Sequence, residues 1–430
     1  MLFNKSLKRL TKQLRLKFLL RWAIVSVFIG GLSGSASAIF LLLLKWAKTT
    51  RESNHWLLFL LPLGGFIVAF SYSLSDKSVN KGNNLLVEQI QKPSAVISII
   101  MAPLVLIGTI ITHVFGGSAG REGTAVQMGG SIADQLNFLI KFSIEERKIL
   151  LMCGMAAGFS SLFGTPLAGT LFALEIVFVG KLLFDGLIPV LFSALAAYFV
   201  CGFWPVEHTH YTIGIIPGLS FANLGWIVLA AIAFGFTSRI FSSLLFWLSN
   251  QFKKYIPSAL FRPVVGGILV AGFIILFGFK YSGLGLDTIV SSFYIEQGFD
   301  VFAVKLIVTV LTLSAGFKGG EVTPLFFIGA TLGSALSFVI PLPVGLLAGV
   351  GFVAVFSGAT NSPIACTLMG LELFASESFS FSLLVFLVLG CFVSYYSSGH
   401  TGIYSSQIVA RSKYGFLKKV KGKSLSELMK

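Results

Sequence analysis

Charge is the scarcest property of this sequence. Only 11% of its 430 residues are charged, 17 of them acidic, whereas an ordinary soluble domain carries about a quarter. So few charges cannot clothe a chain of this length in water, which excludes a soluble globular protein. Cysteine is almost as rare. Cys153, Cys201, Cys366 and Cys391 stand singly in apolar sequence, with no zinc-ligand spacing, and buried free thiols are the default reading. Histidine offers no metal pattern either: His208 and His210 form a His-x-His pair beside Glu207 in a loop, while His55, His113 and His400 are isolated. No nucleophile and base share a segment, so a membrane-embedded hydrolase is only a remote alternative. Nothing in the sequence asks for a cofactor or a metal.

What is present is apolar. Hydrophobic residues make up 55% of the chain and mean hydropathy is +0.88. Apolar runs recur at 18–48, 55–75, 95–115, 149–178, 182–204, 221–248, 262–280, 300–316, 323–358 and 380–399, and about 20 such residues cross a bilayer as helix. The fold class expected is an all-α polytopic membrane protein. The net charge of +15 collects at the two ends, in Lys5, Lys8, Arg9, Lys12, Arg15, Lys17 and Arg21 and again in Arg411, Lys413, Lys418, Lys419, Lys421, Lys423 and Lys430. By the positive-inside rule both termini are cytoplasmic. No interleaved aromatic platform accompanies these ends, so the lipid bilayer is the expected partner and nucleic acid is not. Ser35-Ala36-Ser37-Ala38 imitates a signal-peptide cleavage site, but the apolar sequence continues through Leu44 and makes a full span.

An internal repeat organises the chain. Gly154 to Ile176 reads GMAAGFSSLFGTPLAGTLFALEI and Gly351 to Leu373 reads GFVAVFSGATNSPIACTLMGLEL, a gapless match at an offset of 197 residues. Pro166 then pairs with Pro363 and Glu175 with Glu372. Small residues that let helices pack would explain the glycines but not the matched Pro and Glu. A transporter built from repeats with broken helices places its substrate site near the midplane between them. Inversion of the repeats would require an odd number of crossings in each.

Two glycine-framed segments lie 200 residues apart, Gly120-Arg121-Glu122-Gly123-Thr124 and Gly320-Glu321-Val322-Thr323-Pro324. Glycines ahead of helix starts let backbone N–H groups and the positive end of the helix dipole close on an anion. Glu122 and Glu321 are candidate proton carriers there, because an ionised carboxylate competes with an anion for the same amides and releases them when protonated. Glu175 and Glu372, near the ends of their helices, read as structural or cytoplasm-facing. Gly82-Asn83-Asn84 is a third glycine-led element whose side-chain amides offer donors to a small anion, or simply a turn. Tyr404 begins an expected final helix and offers a phenolic donor, though a lone interfacial tyrosine is also a common anchor.

Together these residues resemble the CLC family of chloride channels and anion/proton antiporters. GREGT is similar to its Gly-Arg-Glu-Gly-Pro element, GEVTP to its Gly-x-Phe-x-Pro element, GNNLL stands where Gly-Ser-Gly-Ile-Pro is usual, and GIYSSQIVAR resembles its terminal tyrosine helix. Asn83 in place of serine, Thr124 in place of proline, Val322 in place of phenylalanine and Gly-Phe-Lys-Gly-Gly before Glu321 look like the fluoride-exporting bacterial branch. The resemblance implies a CLC fold with two inverted repeats, 22–205 and 206–400, flanked by a basic N-terminal helix, 1–21, and a tyrosine-bearing helix with a basic tail, 401–430. It implies a homodimer in the bacterial inner membrane exchanging fluoride for protons, with a chloride channel or chloride/proton antiporter as the alternative. Glu122 would be the gating glutamate, with Glu321 and Thr323 as the branch's own polar elements and Asn83 at the selectivity position. Tyr404 would be the inner-gate phenol, and Gly82, Asn84, Gly120, Arg121, Gly123, Gly320 and Val322 would complete the anion site. The second, intracellular glutamate of chloride/proton antiporters would fall at Ile176 and is absent.

Overall fold

A computed structural model describes residues 2–374, 380–415 and 418–429. Lys430 and the side chains of Lys5 to Lys17 and Lys418 lie outside the described residues. The first half comprises α1 (Leu2–Ser53), α2 (Leu61–Ser73), α3 (Asn83–Gln91), α4 (Met101–Val114), α5 (Glu122–Leu139), α6 (Ile144–Phe163), α7 (Pro166–Glu175) and α8 (Leu187–Gly202). The second comprises α9 (Phe221–Tyr255), α10 (Arg262–Phe277), α11 (Leu286–Ser291), α12 (Phe299–Ser314), α13 (Val322–Leu336), α14 (Val344–Thr360), α15 (Pro363–Phe374) and α16 (Phe381–Ser397). The basic N-terminal segment and the first span form one unbroken helix, with no boundary at residue 21.

Only four stretches, Leu20–Ser53, His55–Ser73, Phe184–Gly202 and Phe221–Tyr255, are long and apolar enough to cross a membrane as single helices among the described residues. The run at 149–178 is cut into α6 and α7 and the run at 323–358 into α13 and α14. The first cut has a local cause. Gly164 ends α6 in the left-handed conformation, at φ 74°, with its N–H on Ser160 O at 2.8 Å, and Pro166 opens α7. At the repeat-equivalent position Asn361 ends α14 at φ 61°, with its N–H on Ser357 O at 3.0 Å, and Pro363 opens α15. Gly and Asn are the residues that tolerate this conformation, and proline needs no N–H at a helix start.

The halves interlock through the two glutamates of the repeat. Glu175, at the end of α7, accepts the Ile364 and Ala365 amides at the start of α15, at 3.2 and 2.8 Å. Glu372, near the end of α15, accepts the Leu167 and Ala168 amides at the start of α7, at 2.9 and 2.7 Å. Each carboxylate satisfies the orphan donors and dipole of the other half's helix. The structural role read for both residues therefore has a definite form, and α7 and α15 run antiparallel, as inverted repeats require. Glycine sets the approach elsewhere. A Cβ on Gly129 of α5 would stand 2.1 Å from Gly154 O of α6, and one on Gly329 of α13 would stand 2.1 Å from Gly351 O of α14.

The expected terminal tyrosine helix does not form. Tyr404 lies in an irregular turn before β2 (Ile408–Val409), which pairs in parallel with β1 (Phe178–Val179), and the only helix in the described part of the tail is α17 (Leu425–Leu428). The reason is tertiary. Ile403 N donates to Ala359 O at 2.9 Å, and Gln407 Nε2 donates to Ile176 O at 2.7 Å and to Thr360 O at 2.9 Å, so the segment meets its polar needs on other elements rather than within a helix.

Gly129→Ala is expected to force α5 and α6 apart and to destabilise the protein by about 1–3 kcal/mol. A lowered thermal midpoint and loss of the monodisperse detergent-solubilised species would show it; an unchanged midpoint would mean that the contact is not limiting.

Candidate functional site

The two glycine-framed segments meet. Gly120 N donates to Gly320 O at 2.6 Å and Gly320 N donates to Gly120 O at 2.8 Å, a reciprocal antiparallel bridge between the starts of α5 and α13. Side chains would block it. A Cβ on Gly120 would lie 2.9 Å from Gly320 O, and one on Gly320 would lie 2.7 Å from Gly123 N. Helix dipoles from both halves thus converge on one buried spot.

Glu122 fills that spot. Its Oε2 accepts Arg121 N at 3.1 Å and Thr323 N at 3.0 Å, while the Thr323 hydroxyl donates to Oε1. Arg121 Nε stands 3.7 Å from Oε1, an ion pair beyond hydrogen-bond reach. The carboxylate is 1% exposed. Its stabilisation comes from one amide of each repeat, one hydroxyl and one guanidinium, the charge-assisted donors that a small anion would also use.

On one side of the junction opens a cavity of about 620 Å³ lined by Gly82, Asn83, Asn84, Glu321 and Tyr404. Gly82, at φ 58°, turns the chain into α3, whose first residue is Asn83. The position a Cβ would take on Gly123 is 2.8 Å from Asn83 Nδ2 and 3.7 Å from Glu321 Oε2, so both side chains border the glycine loop. Asn83 Oδ1 and Glu321 Oε2 are buried without a hydrogen-bond partner among the described residues. Tyr404 is buried and meets Phe172 edge to face at 6.4 Å. Val322, also buried, is apolar and leaves only its backbone for an anion.

Twelve candidates were drawn from the sequence, and eleven gather at the junction or along the cavity. Asn84 plays a different part. It borders the cavity, but its Oδ1 accepts Ser406 N at 2.9 Å, and Glu88 and Gln91 on the same helix hold Ser406 Oγ at 2.9 Å and Ser406 O at 3.0 Å. Asn84 fixes the Tyr404 loop against α3. Sequence reasoning missed His113, whose Nδ1 is 2.8 Å from Thr109 O and whose Nε2 is 3.1 Å from Ala119 O, bracing the residue before Gly120. It also missed Thr109, whose hydroxyl lies 2.7 Å from that of Thr124. A histidine at the end of an apolar helix was the one available signal.

A family model described as "Voltage gated chloride channel" matches residues 64–399, most of the chain and both halves of the junction. The chain belongs to the CLC family. A "Chloride/fluoride channel protein" of Pseudomonas syringae pv. tomato is 44% identical over 406 residues, covering 93% of this chain and 89% of that one. The crystal structure of a CLC-type fluoride/proton antiporter superposes with a TM-score of 0.86 at 34% identity, covering 90% of this chain and 98% of the other. A slow cyanobacterial Cl⁻/H⁺ antiporter shares the fold, with a TM-score of 0.75 at 20% identity over 95% and 97% of the two chains. Against this CLC background Ile176 is fully packed, at 1% exposure, with its carbonyl bound by Gln407. It presents no titratable group.

Asn84→Ala is expected to speed amide exchange across 403–409 by on the order of fivefold, the worth of one ordinary hydrogen bond, and to leave α5 unaffected. Hydrogen–deuterium exchange checks this, and equal protection in the two proteins would deny Asn84 its positioning role.

Proposed function

We propose that this CLC protein exports fluoride from the cytoplasm in exchange for protons moving inward. The observation that carries the proposal is the Glu122 carboxylate resting on amides from both repeats. While ionised it competes with an anion for the same donors. A proton cancels that charge and weakens its hold, so the anion gains the amides as Glu122 leaves them. Anion and proton then load in alternation, and their fluxes run in opposite directions.

Fluoride fits the donors. It is small and strongly hydrated, so a selective site must replace its water with several N–H and O–H groups. Asn83 Nδ2 beside Gly123, the Thr323 hydroxyl and the converging amides supply them. With Ile176 in place of a second glutamate, Glu321, bordering both the glycine loop and the cavity, is the partner we assign to Glu122 for protons, and Tyr404 gates the inner end. The 34% identical neighbour titled a fluoride/proton antiporter supports this reading. The 44% identical relative's name includes chloride, which favours chloride conduction as the second reading. We place the chain in the bacterial inner membrane with both basic ends in the cytoplasm, as a homodimer with one pathway per subunit.

Efflux from liposomes, followed with fluoride and chloride electrodes together with external pH, separates the readings. Fluoride release that drives proton uptake with chloride nearly inert is expected; brisk chloride release would transfer the assignment to the second reading. Glu122→Gln, a mimic of the protonated state, is expected to abolish coupled exchange, and proton flux at the wild-type rate in that variant would remove Glu122 from the mechanism. Asn83→Ser is expected to lower the fluoride-to-chloride rate ratio by about tenfold, the equivalent of one lost charge-assisted hydrogen bond. An unaltered ratio would move selectivity to Glu321 and Thr323.

A further inference from the structure

Three buried side-chain oxygens on the cavity wall lack a hydrogen-bond partner among the described residues: Asn83 Oδ1, Glu321 Oε2 and Ser242 Oγ. The first two belong to the site above. Ser242 does not; it stands on α9, 2% exposed. A hydroxyl inside an apolar helix usually turns back onto the carbonyl one turn earlier, and its neighbours do so. Thr237 Oγ1 donates to Ala233 O at 2.9 Å and Ser238 Oγ donates to Phe234 O at 2.8 Å. Ser242 makes no such bond. Leaving a buried hydroxyl unpaired is costly, so its partner belongs to the cavity's contents. Ser249 and Asn250 line the same cavity, and Ser249, seven residues on, continues the face of Ser242 toward the helix's basic end.

Chemistry separates the three oxygens. An amide oxygen only accepts, and a carboxylate donates only when protonated, whereas a hydroxyl accepts and donates at once. Lys81, Lys253, Arg262 and Lys318 face the cavity, with Glu321 as its acidic residue. This cationic wall draws anions and repels free hydronium. A proton leaving Glu321 therefore needs a hydrogen-bonded chain.

We propose that Ser242 is a proton-relay residue that carries protons from Glu321 to the cytoplasmic solvent through water in this cavity. The proposal deepens the antiport reading and rests on it. Protonated Glu321 gives its proton from Oε2 to a water, and that water passes a proton to Ser242 Oγ. Ser242 gives its own hydrogen to the next water outward. Glu321 is left ionised, the hydroxyl is restored and one proton has left with the solvent; only O–H bonds form and break.

The test uses full-length protein in liposomes, with fluoride efflux and proton uptake recorded together for wild type, Ser242→Ala and Ser242→Thr. Ser242→Ala is expected to slow maximal coupled turnover about fivefold at an unchanged KM for fluoride, with Ser242→Thr restoring most of the rate because it keeps the hydroxyl. Equal turnover in Ser242→Ala would overturn the relay. So would a Ser242→Thr variant as slow as alanine, which would indicate packing, or a raised KM at unchanged maximal rate, which would make Ser242 a fluoride ligand. Wild-type vesicles that move fluoride without protons would instead defeat the antiport reading, and the relay with it. That result is read on the wild type alone and is distinct from any result on the variants.

Discussion

Two hydrogen bonds between Gly120 and Gly320 hold the starts of α5 and α13 together, and the site depends on that crossing. It lets one amide from each repeat reach a single carboxylate, Glu122, at membrane depth. A buried charge is tolerable only when its lost hydration is replaced. Here the replacement is a convergence of backbone dipoles, one hydroxyl and a guanidinium. The same donors that make Glu122 affordable are those an anion would use, and this shared use is the physical root of the proposed exchange.

The rest of the fold serves this crossing. Helices broken at Gly164 and Asn361 create short segments whose starts and ends lie inside the protein, where their orphan groups require partners. Glu175 and Glu372 answer that requirement reciprocally, each capping the helix opened by the other half's proline. Close glycine contacts, such as Gly129 with Gly154 and Gly329 with Gly351, bring the paired helices near enough for those caps to reach. Beneath the junction, Asn84, Glu88 and Gln91 tie the Tyr404 loop to the helix that begins with Asn83, so the selectivity position and the inner gate belong to one hydrogen-bonded unit.

Much of this was legible in the residues because the signals are local. The repeat register, the Gly/Pro breaks, the glycine-framed helix starts and the importance of Glu122 and Glu321 all follow from spacing within a few residues. The misreadings have long-range causes. Tyr404 was placed on a helix because polar and basic residues follow it, yet Ala359, Ile176 and Thr360 supply its neighbours' hydrogen bonds. Asn84 passed for an anion donor until Ser406, far along the chain, took its carbonyl. Ser242 carried no signal at all, since an unpaired hydroxyl differs from an ordinary helical serine only by what surrounds it.

By itself the sequence determined a helical membrane chain of two related halves with glycine-framed carboxylates, because apolar length, repeat register and glycine freedom are properties of short segments. Only the tertiary structure decided that the two segments meet in an antiparallel bridge, that Glu122 rests on amides of both, and that each repeat's glutamate caps the other's helix. Those contacts join residues about half a chain apart. Their geometry is set by the packing of whole helices, which no short segment specifies.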